Sequence, residues 1–187
     1  MERREKCFKT LIFALFVIFS LWILLQFLAP LFLPSNSVND LSGLVAVSDN
    51  ENIIKDMGFP SNFIYSCGDR LCHQIADRSF FINGNQMPFC SRCTAIWLGL
   101  TIGLVFMVFY KITLNEKFLF VILIGIVPIG IDGVGQLFGF WESTNIIRVV
   151  TGLLIGIVCG LAIGVIIDEI KTIKIFKKPI FSKKNKT

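Results

Sequence analysis

The sequence predicts an all-α integral membrane protein with four transmembrane helices and a small Cys/His-stapled extracytoplasmic loop domain between the first and second helices. Composition is the first reason, because 54% of the 187 residues are hydrophobic and only 17% are charged, which is outside the range of an ordinary soluble domain. The second reason is the presence of four apolar runs, each near the length of about 20 residues that crosses a bilayer. The third is a cluster of cysteines with the only histidine, placed between the first two runs.

The first apolar run extends from Phe8 to Leu33, interrupted by isolated polar residues and a proline. Basic residues precede it, as they precede the apolar core of a signal peptide. However, the run is too long for such a core and lacks a cleavage site of small residues. We therefore predict a retained anchor, with residues 1–33 forming a cytoplasmic arm and the first transmembrane helix.

The other three runs follow the cysteine cluster, at Cys93–Tyr110, Phe118–Gly139 and Ile146–Ile167. The two links between them are seven and six residues long, and short links make consecutive helices antiparallel neighbours. Residues 93–167 are therefore predicted to form a three-helix transmembrane bundle.

Lysines and arginines set the predicted orientation, because cytoplasmic segments carry an excess of them. Four lie at the amino end, two in the link 111–117 and seven in the basic tail 168–187, which we expect to be disordered or to lie on anionic headgroups. The loop 34–92 has four, mixed with six acids. We predict a multi-pass protein of the cell membrane with both termini cytoplasmic and this loop extracytoplasmic. Since the basic residues lie mainly at the two ends, the net charge of +5 does not indicate a nucleic-acid partner.

Residues 34–92 are the only soluble part large enough to fold on its own. The expected elements are a polar linker, a short helix or strand, a helical turn and a strand, at Pro34–Asp40, Leu41–Val47, Ile53–Met57 and Ser79–Ile82 respectively. Asn83 and Gly84 are typical of a tight hairpin turn. Such a hairpin would bring the two halves of the cysteine cluster together.

The cysteines and histidine of this loop follow the spacing C-x4-C-H-x16-C-x2-C, from Cys67 to Cys93. Small zinc knuckles have this layout, with a pair two residues apart joined through a short hairpin to another Cys or His, and soft thiolates suit Zn²⁺. Cys90 and Cys93 are the first predicted ligands, Cys72 is the next, and the fourth place falls to Cys67 or His73. We predict zinc, with iron as the alternative metal.

Two other chemistries fit the same cysteines. Oxidoreductases place reactive thiols in a Cys-x-x-Cys pair at the amino end of a helix, as Cys90 and Cys93 are here, and helix N–H groups and Arg92 would stabilise a thiolate. An extracytoplasmic address also permits structural disulfides between the two halves of the cluster. A membrane thiol–disulfide oxidoreductase and a structural membrane subunit with a disulfide- or zinc-stapled loop are therefore the alternatives.

Polar residues at membrane depth form a second predicted site, because charges there are costly and face the interior of a bundle. Asp132 and Gln136 lie one turn apart in the third span, and Arg148 begins the fourth. The long side chain of Arg148 can reach Asp132, and we predict that pair. Small residues at every fourth position favour close helix packing, and on the face of Arg148 they are Gly152, Gly156, Gly160 and Gly164.

These polar residues would meet the cysteine cluster at one outer rim of the bundle. A site there would use Arg92 or Arg148 for an anionic group and a carboxylate or His73 as the proton carrier. The candidate catalytic residues are Asp132, Arg148, Arg92, Asn145 and Gln136. The expected partners are membrane lipid and, at this rim, an anionic lipid or a small anionic ligand. The sequence does not separate an enzyme from a structural subunit, but the third span has no second charge deeper in the membrane to relay an ion, which argues against a transporter.

Both predicted sites lie in motifs with a family resemblance. The chain resembles a domain-of-unknown-function family of small archaeal and bacterial integral membrane proteins in Cys72-His-Gln, Arg78-Ser-Phe-Phe, Gln86-Met-Pro-x-Cys-x-Arg-Cys-Thr94, Asp132-Gly-x-x-Gln136 and Ser143-x-Asn-x-x-Arg148. The resemblance covers about residues 65–165 and implies a membrane fold without a particular activity. Cys67 lies outside the shared pattern, so the resemblance favours as metal ligands Cys72, His73, Cys90 and Cys93.

Overall fold

The computed structural model describes the backbone of residues 2–176 and the side chains of residues 8–170. Within these residues the elements, in chain order, are α1 (Glu2–Leu28), α2 (Glu51–Ile54), α3 (Ser61–Leu71), β1 (Ser79–Ile82), β2 (Asn85–Cys90), α4 (Ser91–Phe109), α5 (Glu116–Leu137) and α6 (Asn145–Phe176). Short 3-10 turns follow α1 and precede β1, at Ala29–Phe32 and Ala76–Arg78.

Four of the described helices are long and apolar enough to cross a membrane, which confirms the predicted fold class. Their apolar spans are Phe8–Phe32, Ser91–Phe109, Glu116–Leu137 and Asn145–Ile170. The α6 helix continues to Phe176, so of the two alternatives for the basic tail, disorder does not apply to the backbone of 171–176, and a position on anionic headgroups stays a prediction. The rest of the predicted tail lies outside the described residues.

The segment before the hairpin differs from the prediction. Leu41–Val47 forms neither helix nor strand. The N–H of Leu41 donates to the Gln86 side chain at 3.0 Å, and that of Ala46 donates to the Arg70 carbonyl at 2.8 Å. Because other segments satisfy these backbone groups, the segment needs no regular structure of its own. The predicted helical turn is α2, which begins two residues earlier than expected, at position 51 instead of 53.

The α3 helix was not predicted, although its sequence carries a helical signal. Its buried side is formed by residues three and four positions apart, which is the spacing of one helix face. They are Ser61, Ile64, Tyr65 and Gly68.

The predicted hairpin is confirmed. In its antiparallel register Ser79 pairs with Cys90 and Ile82 with Asn85. Asn83 and Gly84 both have positive φ, of 56° and 72°, as a two-residue type I′ turn requires. The hairpin therefore returns the chain so that β2 ends where α4 begins.

Asn85 attaches the hairpin to the chain that leaves α1. Its side chain is fully buried. The Oδ1 atom accepts from the N–H groups of Ser37 and Val38 at 2.8 and 3.0 Å, and Nδ2 donates to the carbonyls of Pro30 and Pro34 at 3.0 and 2.9 Å. One buried amide thus satisfies backbone groups of a loop that has no regular structure to satisfy them.

The predicted glycine-lined face of α6 packs against α4. Gly156 and Gly160 lie against Gly99 and Gly103, with the two backbones in direct contact. Small residues at this spacing allow membrane helices to approach this closely. The α4–α6 pair is therefore the central element of the bundle. Its close packing brings the amino ends of α4 and α6 next to each other.

We expect Gly160→Ala to destabilise the protein by about 1–3 kcal/mol, as overpacking does. A methyl group at this position would overlap the Leu100 carbonyl, which belongs to helix backbone and cannot turn away. The matched control is Gly130→Ala on α5, where an added methyl meets nothing within 4 Å. Thermal unfolding in detergent should show a lower midpoint for Gly160→Ala alone, and equal midpoints for the two variants would contradict the packing.

Candidate metal centre and polar site

Three cysteines from different elements converge at one end of the bundle. Cys72 follows α3, Cys90 ends β2, and Cys93 lies in the first turn of α4. Their Sγ atoms all lie within 4.8 Å of one another, and all three are free thiols in the structure. Cys72 and Cys90 are buried, and Cys93 is half-buried. The hairpin and the α3 terminus bring together residues far apart in the sequence, as the spacing predicted.

The donor set and its spacing fit a zinc ion. With Zn–S bonds of about 2.3 Å, two thiolates of a tetrahedral site lie roughly 3.8 Å apart, within the limit that these sulfurs satisfy. The backbone N–H of Cys90 donates to Cys72 Sγ at 3.3 Å, and such a bond stabilises a thiolate ligand. Trp22 of α1 and Phe89 pack against the sulfurs and form an apolar wall. The group is therefore shielded from solvent on that side.

The thiols also perturb one another. Hydrogen bonding with Cys72, and then with Cys93 and His73, lowers the pKa of the Cys90 thiol, although burial opposes the shift. The hydrogen bond with Cys90 is the main cause that raises the pKa of Cys72 to about 11. The cluster thus favours a thiolate at Cys90, the residue that caps the amino end of α4.

His73 and Cys67 lie outside the three-sulfur group in the described part of the chain. His73 is half-buried, and its Nδ1 accepts from the Ile75 N–H at 3.1 Å. The neutral ring then carries its proton on Nε2, so this nitrogen is a donor and not a ligand in that tautomer. Cys67, on α3, packs against the cluster. Of the predicted ligands, the structure brings three together and leaves these two beside them.

Two glutamines and a glycine position the sulfurs. Gln74 and Gln86 were noted only as members of the family pattern, and Gly68 was given no role. Gln74 Nε2 donates to the Pro88 carbonyl at 2.8 Å, and Gln86 Nε2 donates to the Gln74 carbonyl at 2.5 Å. Gly68 touches the same Pro88 carbonyl, where any side chain would collide with it. These contacts hold the end of α3 against β2, which places Cys72 beside Cys90. Glutamines close to the Cys-His pair and to Cys90 in the sequence could have indicated these positioning residues.

The polar site lies at the same end of the bundle, but its ion pair differs from the predicted one. Asp132 pairs with Arg92, not with Arg148. Arg148 instead donates to Gln136 Oε1 at 3.1 Å and to Asn145 Oδ1 at 3.4 Å. The prediction paired Asp132 only with a residue on α6, the helix that follows α5, and did not consider α4, the helix that precedes it.

Helix packing explains the change of partner. The carbonyl of Arg92 lies against Gly152, one turn beyond Arg148 on α6. The glycine contact therefore places Arg92 close enough to reach across to α5. Asp132 also accepts from Gln136 Nε2 at 3.1 Å and from Trp141 Nε1 at 3.4 Å. Gln136 thus links the two arginines through the carboxylate.

Ser91 joins the two sites. It stands between Cys90 and Arg92, and its Oγ lies 2.9 Å from Asn145 Oδ1 and 3.0 Å from the Arg78 carbonyl. Asn145 Nδ2 donates to the carbonyl of Asp77 at 3.2 Å. The start of α6, the start of α4 and the turn before β1 are therefore held together around one hydroxyl group.

Comparison with known proteins places this arrangement in a family. Residues 72–162 match the family model described as "Predicted membrane protein (DUF2085)". An uncharacterized protein of Methanocaldococcus jannaschii is 35% identical over 109 residues, which cover 54% of this chain and 70% of the relative. The chain belongs to the DUF2085 family. An uncharacterized protein of Methanothermobacter thermautotrophicus is 37% identical over 93 residues, covering 50% of this chain and 82% of the relative. No solved structure matches the chain.

The DUF2085 match begins at the first of the three clustered cysteines and ends within α6. It contains all three sulfurs and the whole polar network, and it leaves out α1 and Cys67. The family segment thus coincides with the residues that form the two candidate sites.

Proposed function

We propose that this DUF2085 member is a membrane metalloprotein that holds one zinc ion through Cys72, Cys90 and Cys93, next to the Arg92–Asp132 polar site. The observation that carries the proposal is the convergence of three sulfurs within 4.8 Å of one another. Buried thiols this close are typical of a soft-metal site, and zinc is the usual occupant, with iron as the alternative. A bound zinc would supply Lewis acidity at the membrane rim.

The fourth coordination place decides between a structural and a catalytic centre. Closed four-ligand sites are structural, whereas three protein ligands with an open place are typical of catalytic zinc. His73 could fill the place only by releasing the Ile75 N–H or by moving its proton from Nε2. We infer that His73 hydrogen-bonds the Cys90 sulfur. The fourth coordination place is then left to an external ligand, and Cys67 is the alternative protein ligand. The polar site would then provide the charged groups next to that place.

A thiol–disulfide oxidoreductase using Cys90 and Cys93 is the second candidate. It is favoured by the lowered pKa of Cys90 at the amino end of α4, which is the environment of reactive thiols. In this interpretation Cys72 is the neighbour that hydrogen-bonds the thiolate, and no metal is needed.

Metal analysis together with thiol counting separates these functions. Protein purified in detergent should contain about one zinc per chain, and its clustered thiols should react with a thiol reagent only after a chelator is added. Metal-free protein whose intact mass shows disulfides would overturn the metal proposal. Reversible two-electron reduction of a Cys90–Cys93 disulfide would then support the oxidoreductase, and inert disulfides would support the structural subunit.

We further propose the topology that the basic residues predict, with both termini cytoplasmic and the loop 34–92 extracytoplasmic. Leu44 and Leu114 are a matched pair of probes, because they are 68% and 60% exposed and lie in links at opposite ends of the bundle. In intact cells, a membrane-impermeant maleimide should label Leu44→Cys and spare Leu114→Cys, each compared with the unchanged protein. The reverse pattern would place the cysteine cluster in the cytoplasm.

A further inference from the structure

Arg148 is a buried cation without an anionic partner among the described residues. It is 5% exposed and lies in the first turn of the membrane-spanning α6. Its two hydrogen-bond acceptors among the described residues, Gln136 and Asn145, are neutral amides. Charged side chains at membrane depth are costly and mark functional sites by default. Gln136 and Asn145 cannot neutralise the charge of Arg148, so another group must do so.

Asp132 cannot balance the arginines around it. Its carboxylate already accepts from Arg92, Gln136 and Trp141. Asp132 therefore has no further carboxylate oxygen to offer Arg148, which keeps only its two amide acceptors.

Arg92 and Arg148 belong to one network, because Gln136 contacts both Arg148 and Asp132. Arg78 is joined to the same network through its carbonyl, which contacts Ser91 Oγ, and Ser91 Oγ lies 2.9 Å from Asn145 Oδ1, an acceptor of Arg148.

Two of these arginines have donors to spare. In the described part of the chain, the half-buried Arg78 side chain makes no hydrogen bond or ion pair, while its carbonyl accepts from Ser91. The Nε–H of Arg92 is buried and has no acceptor. Arginine presents its donors in a planar fork that fits oxyanions such as phosphate and carboxylate. The arrangement is thus complementary to a group with several acceptor oxygens.

The site lies at the depth of lipid headgroups and is open there. The Arg92 side chain is 24% exposed and the Arg78 side chain is half-buried, so both can be approached from outside, whereas the Nε–H of Arg92 and the Arg148 side chain are buried behind them. Phe138, Phe140 and Trp141 surround this end of the bundle and are exposed. Exposed aromatic residues at the end of a span lie at the membrane–water interface. A phosphate group at this depth can come from a lipid headgroup or from solution.

We propose that Arg78, Arg92 and Arg148 form a binding site for a phosphate group, next to the three cysteines. The proposal deepens the polar half of the proposed function, and it does not require the metal. Cys90 lies two residues before Arg92 at the start of α4, so the competing explanation is that the arginines balance the charge of the cysteine cluster alone. Substitution of Arg78, whose side chain makes no hydrogen bond or ion pair among the described residues, distinguishes the two.

The test uses the full chain in a neutral detergent, titrated with inorganic phosphate and with short-chain phosphatidic acid by calorimetry. Arg78→Gln removes one guanidinium without breaking a side-chain hydrogen bond or ion pair of the described residues. The matched control is Arg70→Gln, an exposed arginine of the same loop whose side chain donates to Ser48 Oγ at 3.3 Å. We expect at least tenfold weaker binding for Arg78→Gln, the size of one lost charge-assisted contact, and affinity within about twofold for Arg70→Gln.

Binding of both probes would identify a phosphate site open to solution, and binding of phosphatidic acid alone would identify a headgroup site. Failure of the unchanged protein to bind either probe saturably would overturn the proposal, as would equal losses for the two variants. Zinc content measured in the same samples keeps the outcomes separate. Zinc without phosphate binding would remove only this inference, and phosphate binding without zinc would remove only the metal centre.

Discussion

Cys90→Ser is expected to lose more than about nine-tenths of the bound zinc, because a serine hydroxyl is a hard and poor ligand beside two remaining thiolates. Cys90 has the central place in the cluster, since its N–H also bonds the Cys72 sulfur. The zinc content of the purified variant, measured by elemental mass spectrometry, tests this prediction. The variant should also lose the restraint that joins α3 to α4, and unfold at lower temperature than the zinc-loaded protein.

The chain supplies matched controls for this substitution. Cys67→Ser changes a half-buried cysteine beside the group, and Cys159→Ser changes one within α6. Both should retain zinc. His73→Ala should retain the ion but weaken its binding, since a bond to the Cys90 sulfur is lost while three sulfurs remain. Zinc loss in Cys67→Ser as complete as in Cys90→Ser would mean that Cys67 is the fourth ligand and that our three-sulfur assignment is wrong.

Asp132→Ala should destabilise the protein by about 3–5 kcal/mol, the usual cost of leaving one member of a buried ion pair alone. The Asp132 side chain is only 5% exposed, and its loss leaves the Arg92 charge unpaired at membrane depth. It also removes the acceptor of Gln136 and Trp141. Denaturation in detergent, followed by helix signal and by recovery of monodisperse protein, measures the effect.

The pair at the opposite end of the bundle provides the control. Lys111 bonds Asp168 at 3.2 Å with its side chain 65% exposed, and Lys111→Ala should cost no more than about 1 kcal/mol. Changing Asp132 and Arg92 together to leucine should recover much of the loss, because no lone charge then remains. A double variant as unstable as Asp132→Ala would show that the ion pair is not the source of the effect.

Local patterns predicted the elements that local physics determines. Run length identified the four spans, and the Asn83-Gly84 pair identified the hairpin because few other dipeptides adopt positive φ at both positions. The cysteine spacing predicted the three sulfurs, since the hairpin brings β2 back toward the end of α3. These features depend on residues close together in the chain.

The ion-pair partner of Asp132 could not be predicted from local sequence patterns. It depends on how closely α4 approaches α6, which the glycines of both helices set jointly through backbone contact. Sequence order suggested Arg148, on the next helix, whereas the three-dimensional neighbour is Arg92, on the previous one. The irregular course of Leu41–Val47 has a similar cause, because its N–H groups bond partners distant in the sequence, such as the Gln86 side chain and the Arg70 carbonyl.

The contact between α4 and α6 also limits how this protein can change shape. At Gly99, Gly103, Gly156 and Gly160 the glycine Cα atoms of one helix lie against backbone carbonyls of the other. This contact leaves no gap in which a lipid chain could insert, and it resists sliding of α4 along α6. The α5 helix is held differently, since its buried residues are few and Asp132 is the only charged one among them. Motion that accompanies binding at the rim would therefore have to displace α5 or α1, while α4 and α6 move as one body. Spin labels on α5 and α6 are the pair that would report such a displacement.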